Sequence, residues 1–290
     1  MARVILFGAT GTIGRAARAA LAADGHTVAT PGRGADLVTL MRTEKPEVVI
    51  SCLASRTGTP ADAEAVDHHL NAAILDAAVQ AGAGHFILLS AICVQKPKLG
   101  FQHAKLAFEA KLQAAPIMGT IVRPTAFFKS LSGQVERLRA GKPFLVFGDG
   151  RLTACKPISD ADLGRFLAEC VVNEDLQGRI LPIGGPGPAI TPLEQGKMLF
   201  DALGIEPKFK HVPVAMLTGI IGMLRLFGLR EKAELAKIGR YYATESMLAW
   251  DGVRYDADAT PEFGTDMLAE HYAKLAAGLV EDDRRAHAVF

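Results

Sequence analysis

Through the first half of the chain, short apolar runs alternate with stretches of helical periodicity. Residues 4–7 (VILF) form one such run and residues 26–30 (HTVAT) a second. Residues 48–53 (VVISCL) are apolar almost without interruption, the pattern of a central parallel strand covered on both faces. Helical patterns lie between them, over residues 13–23 and again over residues 67–81. In the latter, Leu70, Ala73, Ile74, Ala77 and Ala78 share a face at three- and four-residue spacing. A strand over 85–90 (HFILLS), a helix around 105–113 and a strand over 119–122 complete the series before Arg123 and Pro124. Strands alternating with helices predict an α/β fold, a doubly wound parallel sheet with helices on both faces.

Beyond Pro124 the texture changes. Glycine and proline cluster in GKPFLVFGDG (141–150) and GGPGPAITP (184–192) and break the alternation. The expected division is residues 1–125, a first domain, and residues 126–290, a smaller C-terminal lobe. The lobe is expected to be partly interleaved, because Asp160–Val172 reads as a helix that returns to the first domain with the strand after it. Residues 266–279 predict a last helix, and the charged residues beyond it are expected to be loose. Residues 212–229 (VPVAMLTGIIGMLRLFGL) are membrane-like in apolarity, yet contain Pro213 and Arg225 and barely reach spanning length. A buried or interfacial helix is the expectation there.

Charge narrows the function classes. Lys plus Arg total 32 against 31 for Asp plus Glu, so the overall balance makes no electrostatic case for nucleic acid and leaves only a local patch open. Cys52, Cys93, Cys155 and Cys170 are far apart with no C-x-x-C pair, and the histidines are scattered. His68 and His69 are adjacent and so point to different faces of an α-helix. No metal site is expected, and reduced thiols in a cytoplasmic protein are the default. The opening MARVILFGATG lacks the long apolar region and cleavage site of a secretory signal.

The same opening carries the first chemistry. GATGTIG sets Gly8, Gly11 and Gly14 directly after the first strand and at the mouth of the first helix. There Gly8 makes the tight turn, Gly11 lets the backbone approach a pyrophosphate, and Gly14 lets helix and strand pack closely. The helix N-terminus adds free N–H groups and positive potential, so Thr10, Thr12 and Ile13 join the glycines as cofactor contacts. This is the phosphate loop of a Rossmann sheet. NAD-binding domains usually place an acid at the end of the second strand, whereas an arginine accommodates a 2′-phosphate. Here the strand runs HTVATPGRG, with no acid and with Arg33 in reach; Arg15, just past the third glycine, supplies a second cation. NADPH is the expected cofactor. Residues 31–47, about 17 in all, are too few for two strand–helix steps, so one such unit is missing or compressed.

GFQHAK, residues 100–105, follows the strand HFILLS and opens a helix. Short-chain dehydrogenases carry a tyrosine there, four residues before a lysine, with a serine at the end of the preceding strand. Ser90 fits the serine and Lys105 the lysine, which gives Lys105 a catalytic-site role at the nicotinamide ribose. Phe101 replaces the tyrosine and cannot hand over a proton. That matters most where a carbonyl oxygen must be protonated as hydride arrives. It matters less for a C=C bond conjugated to a large π system, into which the developing charge spreads. The substitution points to alkene reduction or to no catalysis.

Longer runs carry a closer likeness. LLSAICVQKPKLGFQHAKLAFEAKL (88–112) and VRPTAFFKSLSGQVERLRAGKPFLVFGDGRLTACKPISDADL (122–163) resemble the divinyl chlorophyllide 8-vinyl reductases, the NADPH-dependent type of chlorophyll and bacteriochlorophyll synthesis. So do SCLASRTG (51–58), ILPIGGPGPAITPLEQGKMLF (180–200) and KIGRYYATESML (237–248). The resemblance covers nearly the whole chain, and phenylalanine before the lysine fits that family's pattern. It departs from the pattern in the shortened segment after the second strand.

The resemblance implies reduction of the 8-vinyl group of a chlorophyllide or protochlorophyllide to ethyl. It adds Ala54, Ser55, Pro124 and Thr125 to the expected cofactor contacts. Phe101, Phe127, Phe128, Lys129, Lys156, Tyr241 and Tyr242 are expected substrate contacts, with Arg123 beside them and the two lysines attracting a propionate carboxylate. Tyr241, Tyr242 and His103 are candidate proton donors. Cys155 as an axial ligand to magnesium is rejected, since soft sulfur suits that hard ion badly. The apolar run 212–229 would suit peripheral contact with a photosynthetic membrane. Two other readings stay open: a non-catalytic NADP(H)-binding sensor or structural subunit, and an isoflavone-type alkene reductase.

Overall fold

The computed structural model describes residues 1–279, and the charged C-terminal residues expected to be loose lie outside them. The chain forms two compact units of nearly equal length: Met1–Pro124 with Asp160–Ile183, and Thr125–Ser159 with the chain from Gly184 onward. In chain order the first unit begins β1 (Arg3–Phe7), α1 (Thr12–Ala23), β2 (Thr27–Ala29), α2 (Leu37–Glu44) and β3 (Val48–Ser51). It continues with α3 (Pro60–Ala63), a π-helical segment (Glu64–Leu70), α4 (Asn71–Gln80), β4 (His85–Leu89), α5 (Gly100–Ala114) and β5 (Met118–Pro124). The second unit then contributes α6 (Phe128–Leu131), α7 (Val135–Arg139) and β6 (Phe144–Phe147). The chain returns to the first unit for α8 (Asp160–Val172) and β7 (Ile180–Ile183). It leaves again for α9 (Pro192–Leu203), β8 (Phe209–Val212), α10 (Val214–Leu226), α11 (Arg230–Thr244), β9 (Ala249–Trp250), β10 (Tyr255–Asp256) and α12 (Leu268–Ala276).

The first unit is built on a six-stranded sheet in the order β2-β1-β3-β4-β5-β7, with every neighbouring pair parallel. β3 and β4 are buried along their whole length, as strands covered on both faces must be. On one face α1 and α8 touch at backbone distance: a Cβ on Gly164 would lie 2.6 Å from the carbonyl carbon of Ala16. On the other, α2, α4 and α5 close over a core that includes Phe86 and Phe108, edge to face at 5.8 Å. The sheet ends at β2, and α2 leads straight to β3 on the far side of β1. The missing unit is therefore the strand–helix step that would extend the sheet beyond β2. Strand order reverses at β1, so the carboxyl ends of β1 and β3 form the crevice where such sheets bind ligands.

The helix expected over 67–81 starts earlier and is not uniformly α. Its π segment holds an extra residue per turn, which rotates everything before it. The buried face of α4 is consequently Ala72, Ile74, Leu75, Ala77 and Ala78, while Leu70 and Ala73 face solvent. A strict 3.6-residue period cannot anticipate that slip.

The second unit has its own core of Phe128, Val135, Phe144, Phe200, Tyr272 and Leu275 with their neighbours. Phe209 meets Phe144 and Phe200 edge to face, at 6.0 and 5.4 Å. α9 opens on Pro192 behind a reciprocal Thr191–Glu194 capping box. α10 packs on α11 but leaves its outer side open: Leu226 is 83% exposed and Phe227 70%. No helix among the described residues is long and apolar enough to cross a membrane.

One buried group makes stability pH-dependent. His85, at the start of β4, shares a hydrogen bond with the Thr120 hydroxyl at 2.8 Å, and burial pushes its pKa down to about 4. The folded chain thus refuses a proton that the unfolded chain accepts near pH 6.5. Stability is complete above that pH and falls as pH drops toward 4, by up to about 3 kcal/mol at the limit. His271, also depressed by burial, adds to the slope. Urea unfolding at stepped pH is expected to show this loss, and His85→Phe is expected to flatten it in that window.

Candidate cofactor site

The glycine loop is held by distances that allow no side chain. Gly8 lies at φ 77°, and a Cβ there would meet the Cys52 carbonyl oxygen at 2.7 Å. A Cβ on Gly14 would stand 2.1 Å from the carbonyl oxygen of Gly8. Gly11 closes the turn with its N–H on the Gly8 carbonyl at 3.0 Å and serves as N-cap of α1, without a side-chain cap. The first turn of α1 carries no acid, so no side-chain carboxylate there offsets the positive end of its dipole. Thr10, Thr12 and Ile13 thus lie where sequence places an anion site. Arg15 folds back to donate to the Thr10 carbonyl at 2.7 Å, which keeps its guanidinium beside the loop.

Past β2, Arg33 is exposed. The next acid, Asp36, is committed to capping α2: it accepts the Thr39 hydroxyl at 2.6 Å and the Val38 N–H at 3.1 Å. These bonds hold its carboxyl below the usual range. The end of β2 therefore offers a free-standing arginine region and no acid for a ribose.

Lys105 lies on the buried side of α5, and sequence reasoning missed its partner. Its Nζ is 2.8 Å from Oδ1 of Asp67, a wholly buried carboxylate on the π segment. Asp67 Oδ2 accepts the N–H of Ser55 at 3.3 Å, which ties the loop holding Ala54 and Ser55 to the same group. Phe101 is buried one turn before Lys105. Ser90 has a second unexpected partner: its hydroxyl donates to Glu109, which also takes a two-point contact from Arg123. A buried carboxylate needs such donors. The only sequence signal for Asp67 and Glu109 was an acid on the apolar stripe of a helix. Burial pushes the thiol of Cys52, beside the loop, up to about 12.

His68 and His69 correct one expectation. In the π segment their rings stack at 4.8 Å and both approach Glu64, at 2.6 and 3.4 Å. The three side chains bring their ligand atoms within 4.8 Å of one another, a grouping that a strict α period does not anticipate. An open depression of about 690 Å³ lies at the amino ends of the strands, lined by Arg3, Lys45, Glu47 and Gly84. That is the opposite end from the glycine loop.

The expected substrate residues sit in the second unit apart from Phe101. Phe128 belongs to that unit's core and tilts on His271 at 5.5 Å, which favours packing over substrate contact. Thr125 donates to the Lys156 carbonyl, and Lys156 itself is buried and paired with Glu262. Phe127 and Lys129 are half-buried. Tyr241 is buried and meets the half-buried Tyr242 edge to face at 5.6 Å. Nearby, Tyr255 donates to Glu245 at 2.8 Å, and burial raises its pKa. Cys155 is likewise pushed up to about 12 by burial, and His103 is exposed on α5.

Comparison with known proteins bears on the fold. Residues 34–174 match a family model described as NAD(P)H-binding. Two solved structures share the architecture: the NADPH-dependent quinone oxidoreductase QOR2 of Escherichia coli with NADPH, and MoeE5 with UDP-glucose and NAD. The first is 18% identical with TM-score 0.69, over 94% of this chain and 99% of that one. The second is 17% identical with TM-score 0.71, over 96% and 99%. The first unit is a Rossmann domain. The likeness to these two is one of fold.

Sequence relatives are much nearer. The chain is 50% identical over 257 residues to the chloroplastic divinyl chlorophyllide a 8-vinyl-reductase of Cucumis sativus, covering 84% of this chain and 61% of that protein. Against the protein of the same name from Arabidopsis thaliana it is 52% identical over 242 residues, covering 79% and 58%. The chain spans about three fifths of the length of these curated relatives.

The loop geometry makes a direct prediction. Gly14→Ala places a methyl group against the Gly8 carbonyl and is expected to cost on the order of 2–4 kcal/mol in urea unfolding. Gly32→Ala, where an added Cβ meets nothing within 4 Å, is expected to cost under about 1 kcal/mol.

Proposed function

We propose that this chain reduces the 8-vinyl group of a divinyl chlorophyllide-type tetrapyrrole to ethyl, with NADPH as reductant. The observation that carries the reading is identity of 50% and 52% to curated proteins of that name across about four fifths of the chain. The site's own chemistry supports it. The glycine cradle and the acid-free N-terminus of α1 fit a pyrophosphate, Arg15 and Arg33 fit a 2′-phosphate, and Lys105 fits the nicotinamide ribose. NADPH, when bound, supplies a hydride.

The residues then divide the work. Lys105 orients the ribose as a hydrogen-bond donor, and the buried Phe101 beside it keeps water from the carboxyl end of the sheet. Hydride and a proton add across the vinyl double bond, and the macrocycle delocalises the charge in between. No phenol is needed at position 101 for that sequence of events. The glycine- and proline-rich second unit, with Phe127, Lys129 and the Tyr241–Tyr242 pair, supports the tetrapyrrole-binding role.

The same reading places the protein at the surface of the membrane where its substrate partitions. Residues 214–244 carry Arg225, Arg230, Lys232, Lys237 and Arg240 against Glu231 and Glu234, a net +3 on a chain of net +1. An exposed apolar helix bordered by cations is the composition of an interfacial anchor for anionic lipid.

Anaerobic incubation with NADPH and divinyl chlorophyllide a is expected to raise the pigment mass by about two units, as one added H₂ requires; unchanged pigment with tight NADPH binding would favour a sensor. Arg33→Ala is expected to weaken NADPH binding about tenfold and to leave NADH binding unaltered, read by fluorescence titration. Flotation with vesicles containing phosphatidylglycerol is expected to carry the protein up, and Leu226→Ser/Phe227→Ser to leave it at the bottom. A native chain that stays in the soluble fraction would end the membrane reading.

A further inference from the structure

The π segment joins two parts of the cofactor site that are distant in sequence. Asp67 offers Lys105 one carboxylate oxygen at 2.8 Å and the Ser55 N–H the other at 3.3 Å. The segment is itself anchored: Asn71 donates to the carbonyls of Val66 and Asp67, both at 3.2 Å, and accepts the Ser51 hydroxyl from the end of β3. Short π segments are uncommon and concentrate at functional sites, because the extra residue re-aims a side chain. Here the residue re-aimed is a buried acid, facing α5 where an apolar side chain would otherwise pack.

We propose that Asp67 is a positioning residue of the NADPH site, fixing Lys105 and the Ser55 loop at the nicotinamide-ribose end. This rests on the NADPH reading above. A lysine ammonium carries three protons on a flexible stem. Asp67 takes one, which selects a single side-chain conformation and leaves two protons for the ribose hydroxyls. Ser55, at the carboxyl end of β3, is set by the same carboxylate, so the loop and the lysine keep a common reference. Asp67 acts through Lys105 and touches no reacting atom.

Two ligands separate this role from general damage. NADPH contains the nicotinamide ribose, whereas 2′,5′-ADP contains only the adenosine end with its 2′-phosphate. Calorimetry on Asp67→Asn is expected to show NADPH affinity reduced about tenfold and 2′,5′-ADP affinity unchanged. Lys105→Met is expected to behave alike, and the double variant to bind NADPH no worse than Lys105→Met, since the two residues act as one unit. Removing half of a buried ion pair is harsher than removing both charges. If Asp67→Asn does not fold, the double variant against Lys105→Met carries the test. Unaltered NADPH binding by Asp67→Asn, equal loss of both ligands, or a further tenfold loss in the double variant would overturn the role of Asp67. A native protein that binds neither ligand would instead overturn the cofactor reading beneath it.

Discussion

The ligand end of the first unit depends on one backbone approach. Gly14 of α1 comes so close to the β1 turn that a Cβ would lie 2.1 Å from the Gly8 carbonyl oxygen, while Gly8 presses on Cys52 after β3. Three backbone segments meet there with no side chain between them. That contact brings the N-terminus of α1 over the strand ends, where the positive end of its dipole can meet an anion. It also places the β3 loop next to the glycine turn. From that loop Ser55 reaches Asp67, and Asp67 reaches Lys105. The geometry of the lysine is thus referred back to the glycines.

The charged residues around this contact are consistent with alkene reduction. On α5 the buried stripe contains Phe101, Lys105, Phe108, Glu109 and Leu112, an apolar face interrupted by two ions. Each ion is neutralised: Lys105 by Asp67, Glu109 by Arg123 with help from Ser90. Ser90 and residue 101 are the positions where a carbonyl reductase keeps its hydroxyls. Here one hydroxyl is drawn into an internal network and the other is absent. What persists is the lysine, to which the proposed reading gives the ribose and not the proton transfer.

Much of this was legible in the chain. The alternation of strands and helices predicts the parallel sheet, and GATGTIG between an apolar run and a helix predicts the phosphate turn. The short span between β2 and β3 announces the lost strand–helix unit. Less was legible where tertiary packing overrides local period. The π segment shifts Leu70 and Ala73 to solvent, and nothing in residues 60–80 announces an extra residue in one turn. Asp67 and Glu109 read only as acids on the apolar stripe of a helix until α5 supplies Lys105 to the first and β5 supplies Arg123 to the second. Phe128 has the composition of a substrate contact and the surroundings of a core residue, a distinction that only packing makes. His68 and His69 share Glu64 because the local helix is not α.

The central claim is that this Rossmann unit delivers a hydride from NADPH to a vinyl carbon. NADPH deuterated at the transferable position of the nicotinamide C4 tests it most directly, with the pigment analysed by mass spectrometry and NMR. The account predicts one deuterium per turnover, located in the new ethyl group. A reduced pigment without deuterium, or deuterium elsewhere on the macrocycle, would contradict it.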